Sequence, residues 1–285
     1  MLKIKPPLID FLPKAGSAPQ TLSNLPQSAV PIAIAEYAAR SSSLVLVVVE
    51  TSQDAQHLAN ALHFYLGQEH HLDAEGEADG QADIPIIHLP DWETLPYDSF
   101  SPHEDITSER LKALSQLGDL NRGLLILPVQ TLAHRLPPRE HLDGQRFILN
   151  TGDQFDLHAE RRRLEVSGYH AVDTVREHGE FAVRGAILDV FPMGSEQPLR
   201  VELFDTEIDS LRAFDPDTQR TITKVDSVTL LPAREIPLTE TGIATFRQNW
   251  HETFDGNPRD SSIYQDVSSG LAPPGVEYYL SLIHI

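Results

Sequence analysis

The sequence predicts an α/β parallel-sheet domain interrupted by a small α+β antiparallel domain, and three stretches carry the prediction. Leu44 to Val49, LVLVVV, is a near-continuous apolar run of the kind found in a parallel strand covered on both faces. Gly123 to Leu127, GLLIL, is a second such run. From Glu177 to Asp209, EHGEFAVRGAILDVFPMGSEQPLRVELFDTEID alternates apolar and polar residues between turn residues, the pattern of paired antiparallel strands with one buried face.

Taken in order, residues 1–27 are rich in Pro, Ser and Lys and read as an extended lead-in. Pro31 to Arg40 sets Ile34, Tyr37 and Ala38 on one helical face, and after LVLVVV the helical spacing resumes from Asp54 to Tyr65 through Ala55, Leu58, Leu62 and Tyr65. Helix, buried strand, helix opens an α/β sheet. Residues 67–83 hold six acidic residues and no basic one, so they cannot bury enough surface to order themselves and are expected to be a mobile insertion. Ile84 to Leu89 is the next strand. A proline-punctuated loop with Trp92, Tyr97 and Phe100 leads to a helix for which Thr107 is the expected cap, with Arg110, Leu111, Leu114 and Leu117 following. Asp153 is the expected cap of a further helix through Gly168. In the alternating stretch Phe181, Val183, Ile187, Val190, Phe191, Leu199, Val201 and Leu203 form the apolar set. Ser210 to Phe214 and Ser227 to Leu231 add strands, Thr239 to Trp250 is helical, and Ser261 to Val267 continues it. The expected domains are 1–145, 146–231 and 232–285, the last being the start of a returning segment.

Composition limits the chemistry. The 285 residues carry 22 Lys and Arg against 42 Asp and Glu, a formal charge of -20, which phosphate backbones repel unless the cations cluster, and they do not. The absence of cysteine excludes disulfides, thiolate zinc sites and cysteine nucleophiles. No apolar run suits a membrane helix, and prolines interrupt the start where a signal peptide needs continuity, so a cytoplasmic location is expected.

The loop sets Asp91, Glu93, Asp98, Glu104 and Asp105 among aromatics, which suggests a carbohydrate cleft with paired carboxylates; turn-building residues around aromatic anchors are the plainer reading. His57, His63, His70, His71, His88 and His103 lack the spacing of a metal motif, so no metal is expected. Arg161, Arg162 and Arg163 fan out around a helix and suit a solvated face with Glu160 and Glu165. A nucleotide site needs a glycine-rich cradle and a lysine. The chain contains no Gly-Lys pair, and the segment where such a loop belongs, Leu25 to Pro31, reads LPQSAVP. Neither catalysis nor a cofactor is expected of these residues.

LPDWETLPYDSFSPHEDITSERL, followed by EHGEFAVRGAILDVFPMGSEQPLRVELFDTEIDSLRAFDPDTQRT, resembles the N-terminal region of the bacterial transcription-repair coupling factors, from about Leu22 to Tyr279. The arrangement is also similar to the excision-repair protein UvrB, in which an α/β domain is interrupted by a UvrA-binding domain. The resemblance implies a degenerate RecA-like fold of the UvrB domain 1a/1b type, without the nucleotide site and without the tyrosine-rich hairpin with which UvrB probes DNA. It implies an adaptor that docks UvrA. Downstream domains absent here would bind RNA polymerase and DNA and would use ATP and Mg, so the end of the resemblance after Tyr279 is read as truncation. Carried over by motif, the UvrA-binding residues are Arg184, Arg200 and Phe204; Leu203 stands where related chains can have a second Phe. In the plainer arrangement Arg184 pairs across the strands with Glu202 and Phe204 fills the core. The rival function is a DNA-dependent ATPase or helicase domain of UvrB type.

Overall fold

A computed structural model describes residues 12, 18–66, 84–96 and 98–283; the acidic insertion at 67–83 and Tyr97 lie outside the described residues. The chain forms two compact units, Met1–Asp91 with Gln116–Ala133, and Trp92–Ser115 with His134–Ile285.

In the first unit a 3-10 turn at Gln27–Ala29 runs into α1 (Val30–Arg40), with Pro31 in the first turn, where its missing N–H costs nothing. β1 (Leu44–Val49) leads to α2 (Ser52–Tyr65), capped by the Thr51 hydroxyl, which accepts from the Asp54 amide at 3.1 Å. β2 (Ile86–His88) follows. The chain leaves through α3 (Glu104–Leu117) and returns for β3 (Gly123–Pro128) and α4 (Val129–Ala133). The parallel sheet has the order β1-β3-β2, with the wholly buried β3 in the middle. Gly123 opens β3 because a Cβ there would lie 2.7 Å from the Pro85 carbonyl oxygen, whose acceptor role toward the Leu124 amide starts the pairing. Ala35, Ala38, Ala55, Leu58 and Leu62 pack with Leu124 and Ile126.

Expectation and structure part at β1. Val45, Val47 and Val49 join that core, but Leu46 and Val48 are 50% and 42% exposed. β1 is parallel but lies at the sheet edge, and the core with both helices forms on only one of its faces. Tyr65, expected inward, is exposed at the end of α2.

The second unit begins with the loop after Trp92 and most of α3. This helix starts ahead of Thr107: the His103 ring nitrogen accepts from the Asp105 amide at 3.3 Å, and Glu104 and Asp105 place negative charge on the first turn. After α5 (Arg139–Gln145), β4 (Phe147–Asn150) and α6 (Leu157–Val166) come next. Asp156, not Asp153, caps α6, its Oδ1 accepting from the amides of His158 and Ala159 at 2.9 and 3.1 Å. These amide bonds hold the Asp156 carboxyl below its usual range. Asp153 instead closes the turn after β4 by accepting from the Asn150 amide at 2.7 Å. The arginine run splays as expected, Arg161 pairing with Glu165 at 3.1 Å and Arg163 with Glu160 at 3.7 Å.

β5 (His170–Ala171), β6 (Glu180–Arg184), β7 (Ile187–Val190), β8 (Leu199–Phe204), β9 (Glu207–Phe214) and β10 (Thr221–Val225) form a six-stranded sheet in chain order, antiparallel except for the β5–β6 pair. β11 (Ser227–Leu230) pairs with β4 in a separate ribbon. The meander is thus present, with a shifted apolar set: the register pairs Val183 with Leu188, so Leu188 rather than Ile187 is buried with Phe181, Val190 and Val201. The opposite face is not open throughout, because Val172 and Val175 cover its Ala182 and Phe214. β10 escapes sequence reading because all but its last residue are exposed. α7 (Glu240–Thr253), capped by Thr239, α8 (Ser262–Ser268) and α9 (Leu280–Ile283) close the chain around Phe246, Trp250, Val267 and Leu280; α8 is a helix apart from α7. Among the described residues no helix is long and apolar enough to cross a membrane.

Candidate protein-binding site

Two outward side chains of the six-stranded sheet, those of Arg184 and Phe204, lie toward the turn between β6 and β7. Gly185, with φ +62°, supplies the left-handed turn between β6 and β7, which leaves Arg184 at the turn. The Leu203 amide donates to the Ala186 carbonyl at 2.9 Å, so the end of β8 lies beside the same turn. Along β8, Arg200, Glu202 and Phe204 alternate onto one face. The register makes one row of Ala182, Asp189, Arg200 and Arg212 and a second of Arg184, Ile187, Glu202 and Ser210. Strand rise and spacing then put the Cα atoms of Arg184 and Phe204 about 12 Å apart.

Phe204 is 79% exposed and fills no core. Arg184, with 47% of its side chain exposed, donates from Nη2 to Asp189 Oδ2 rather than pairing with Glu202. Glu202 is occupied elsewhere, accepting from Ser210 Oγ at 2.7 Å and lying 3.5 Å from Arg212 Nε. Arg200 takes the same face but is largely shielded there. Its side chain is only 16% exposed, and it gives Nε and Nη2 to the two Asp189 oxygens at 2.7 and 2.9 Å while its guanidinium lies 4.9 Å from the centroid of the Phe214 ring. The hydrogen bonds to Asp189 hold Arg200 above its usual range, against the opposing pull of burial.

Asp189 is the residue that sequence reading missed. It is fully buried and joins both arginines. The available signal was a lone carboxylate inside the apolar run ILDVF. A buried carboxylate needs compensation, and two guanidiniums supply it in charge-assisted bonds. The face therefore presents an exposed ring and a half-exposed, anchored guanidinium, groups of the kind that can contact a carboxylate-bearing protein surface.

The loop at Trp92 has a different role. Trp92 is buried, stacks on His134 at 4.2 Å, and donates Nε1 to Glu235 Oε1 at 3.2 Å. The same carboxylate receives the buried Arg110, Nε to Oε1 at 2.5 Å and Nη2 to Oε2 at 3.1 Å. A ring held and buried in this way serves as an anchor, whereas Phe100 is 68% exposed. A cavity of about 480 Å³ beside it is lined by Trp92, Glu104, Arg234, Glu235 and Glu277 among others. Burial pushes the Glu104 and Glu277 carboxyls up, with Glu277 adding to the effect on Glu104, and burial pushes Arg234 down. Burial likewise lowers His88 and His141. Among the described residues no group of three or more His, Asp or Glu side chains could hold a metal ion; His70 and His71 lie outside them.

Comparison with known proteins gives two findings. Residues 147–236, which include Arg184, Asp189, Arg200 and Phe204, match the family described as the UvrB interaction domain. The chain is also similar to the transcription-repair-coupling factors of Escherichia coli K12 (42% identity over 271 residues) and Haemophilus influenzae Rd (40% over 272 residues), each match covering 95% of this chain and 22% of the relative. That of Myxococcus xanthus is 37% identical over 204 residues, 71% of this chain and 16% of the relative. The chain thus spans about a fifth of the length of the curated relatives it matches.

Proposed function

We propose, from the similarity of this chain to the transcription-repair-coupling factors and the match of its residues 147–236 to the UvrB interaction domain, that it is a non-catalytic, UvrB-like adaptor module that recruits UvrA to RNA polymerase stalled at DNA damage. The observation that carries the reading is the pairing of an outward ring, Phe204, with the anchored guanidinium of Arg184, inside the residues that match the UvrB interaction domain. Arg200 belongs to the same surface as its support.

In this reading 146–231 is the UvrA-binding domain, 1–145 a degenerate RecA-like domain and 232–285 the start of its returning segment. Contacts with RNA polymerase and DNA, and ATP-driven translocation with Mg, belong to other parts of a longer cytoplasmic protein. The rival, a DNA-dependent ATPase of UvrB type, is disfavoured by LPQSAVP, which has no glycine and two prolines where a phosphate cradle requires free amides.

A pull-down with UvrA separates the two. Wild type is expected to retain UvrA, Arg184→Glu to lose it, and neither to hydrolyse ATP with single-stranded DNA. Retention by Arg184→Glu, or turnover of ATP by the wild type, overturns the adaptor reading.

A further inference from the structure

We infer that Asp189 is a positioning residue for this docking surface: it holds the Arg184 guanidinium in the orientation in which the free edge of that group, together with Phe204, meets an acidic segment of UvrA. Arg200 is then a brace and not a principal contact. The inference rests on the adaptor reading above and deepens it.

Asp189 is fully buried, so a partner cannot reach it. Its Oδ1 accepts from Arg200 Nε at 2.7 Å, and its Oδ2 accepts from Arg200 Nη2 at 2.9 Å and from Arg184 Nη2. Arg200 thereby commits one whole edge of its fork to Asp189, and with its side chain 16% exposed it has little left to offer a partner. Among the described residues Arg184 commits only Nη2 and keeps Nε and Nη1 on a side chain that is 47% exposed. The geometry assigns different tasks to two arginines that look equivalent in sequence.

Charge gives the test its sign. Two guanidiniums and one carboxylate sum to a single positive charge, so Asp189 halves the attraction the face exerts on an acidic partner. If the arginines act only as charges, replacing Asp189 by the neutral Asn tightens binding, most at low salt. If Asp189 acts by holding Arg184 in place, the same change weakens binding, because UvrA must then immobilise a free, rotamer-rich side chain.

The experiment is calorimetric titration of the full 285-residue chain with UvrA at low and physiological salt, comparing wild type, Asp189→Asn, Arg184→Ala and the double variant. Asp189→Asn is expected to bind about tenfold more weakly at both salt concentrations, as an immobilisation cost near the upper end of the usual range implies. In the Arg184→Ala background the further loss is expected to shrink to about twofold or less, because the effect passes through Arg184. A purely structural role would leave the penalty intact in that background. Wild-type or tighter binding by Asp189→Asn, or a full penalty without Arg184, overturns the inference. Should Asp189→Asn not fold cooperatively, Arg200→Lys carries the test: it keeps the charge but cannot make the two-point contact, and unchanged affinity overturns the brace. Failure of wild type to bind UvrA overturns the adaptor reading and this inference with it, whereas wild-type binding indifferent to Asp189 overturns only the inference.

Discussion

Phe204→Ala isolates the apolar half of the proposed docking surface. The ring is 79% exposed. A phenylalanine can bury about 200 Å², so about 160 Å² is available to a partner, worth at most about 4 kcal/mol at about 25 cal/mol per Å². Ordering the side chain costs about 1 kcal/mol, and alanine keeps part of the contact through its Cβ. The net expectation is a loss of about 2 kcal/mol in UvrA binding, roughly thirtyfold in Kd. An exposed side chain contributes little to folding, so stability should change by less than about 0.5 kcal/mol. Titration calorimetry with UvrA, paired with a thermal melt of the same sample, reads both numbers. Wild-type affinity in a folded Phe204→Ala protein refutes the reasoning, and so does a large drop in Tm, which would mean that the ring holds the fold.

Two further outcomes concern the second unit itself. Arg110→Met leaves Glu235 buried with Trp92 Nε1 as its one remaining side-chain donor among the bonds described above, and should cost about 3–5 kcal/mol in urea melts. Arg110→Met with Glu235→Leu should recover most of that loss, since no uncompensated charge remains. Glu104 supplies the pH dependence. Its folded-state carboxyl is raised above its unfolded value, so between the two the folded chain holds more protons and stability from this group is gained as pH falls. Glu104→Gln removes that contribution. Its advantage over wild type in melts should be largest near pH 8 and should shrink toward pH 5, and comparing the two proteins cancels the opposite trend of the buried His88 and His141. An advantage that grows on acidification contradicts the burial of Glu104.

Local chemistry was legible where neighbours in sequence settle the outcome. Period-two alternation announces β6 to β9, an apolar stripe announces α1 and α2, and Thr239 announces the start of α7. Single-residue decisions were harder. Several polar residues compete to cap a helix, and the backbone chose His103 over Thr107 and Asp156 over Asp153. The candidate site was half legible: a motif points to Arg184 and Phe204, and both side chains reach the surface. The shielding of Arg200 was not legible, because alternation tells which face a residue takes and not whether another side chain covers it there.

By itself the order of residues determined α1, α2, α7, the meander and the lack of a Gly-Lys pair, because each depends on spacing over a few positions. Only the tertiary structure decided that β1 would be an edge strand and that Asp189 would sit beneath two arginines. Edge or centre depends on the order in which distant strands pair. A buried carboxylate becomes tolerable only after that pairing brings Arg184 and Arg200, five and eleven positions away, within hydrogen-bond reach.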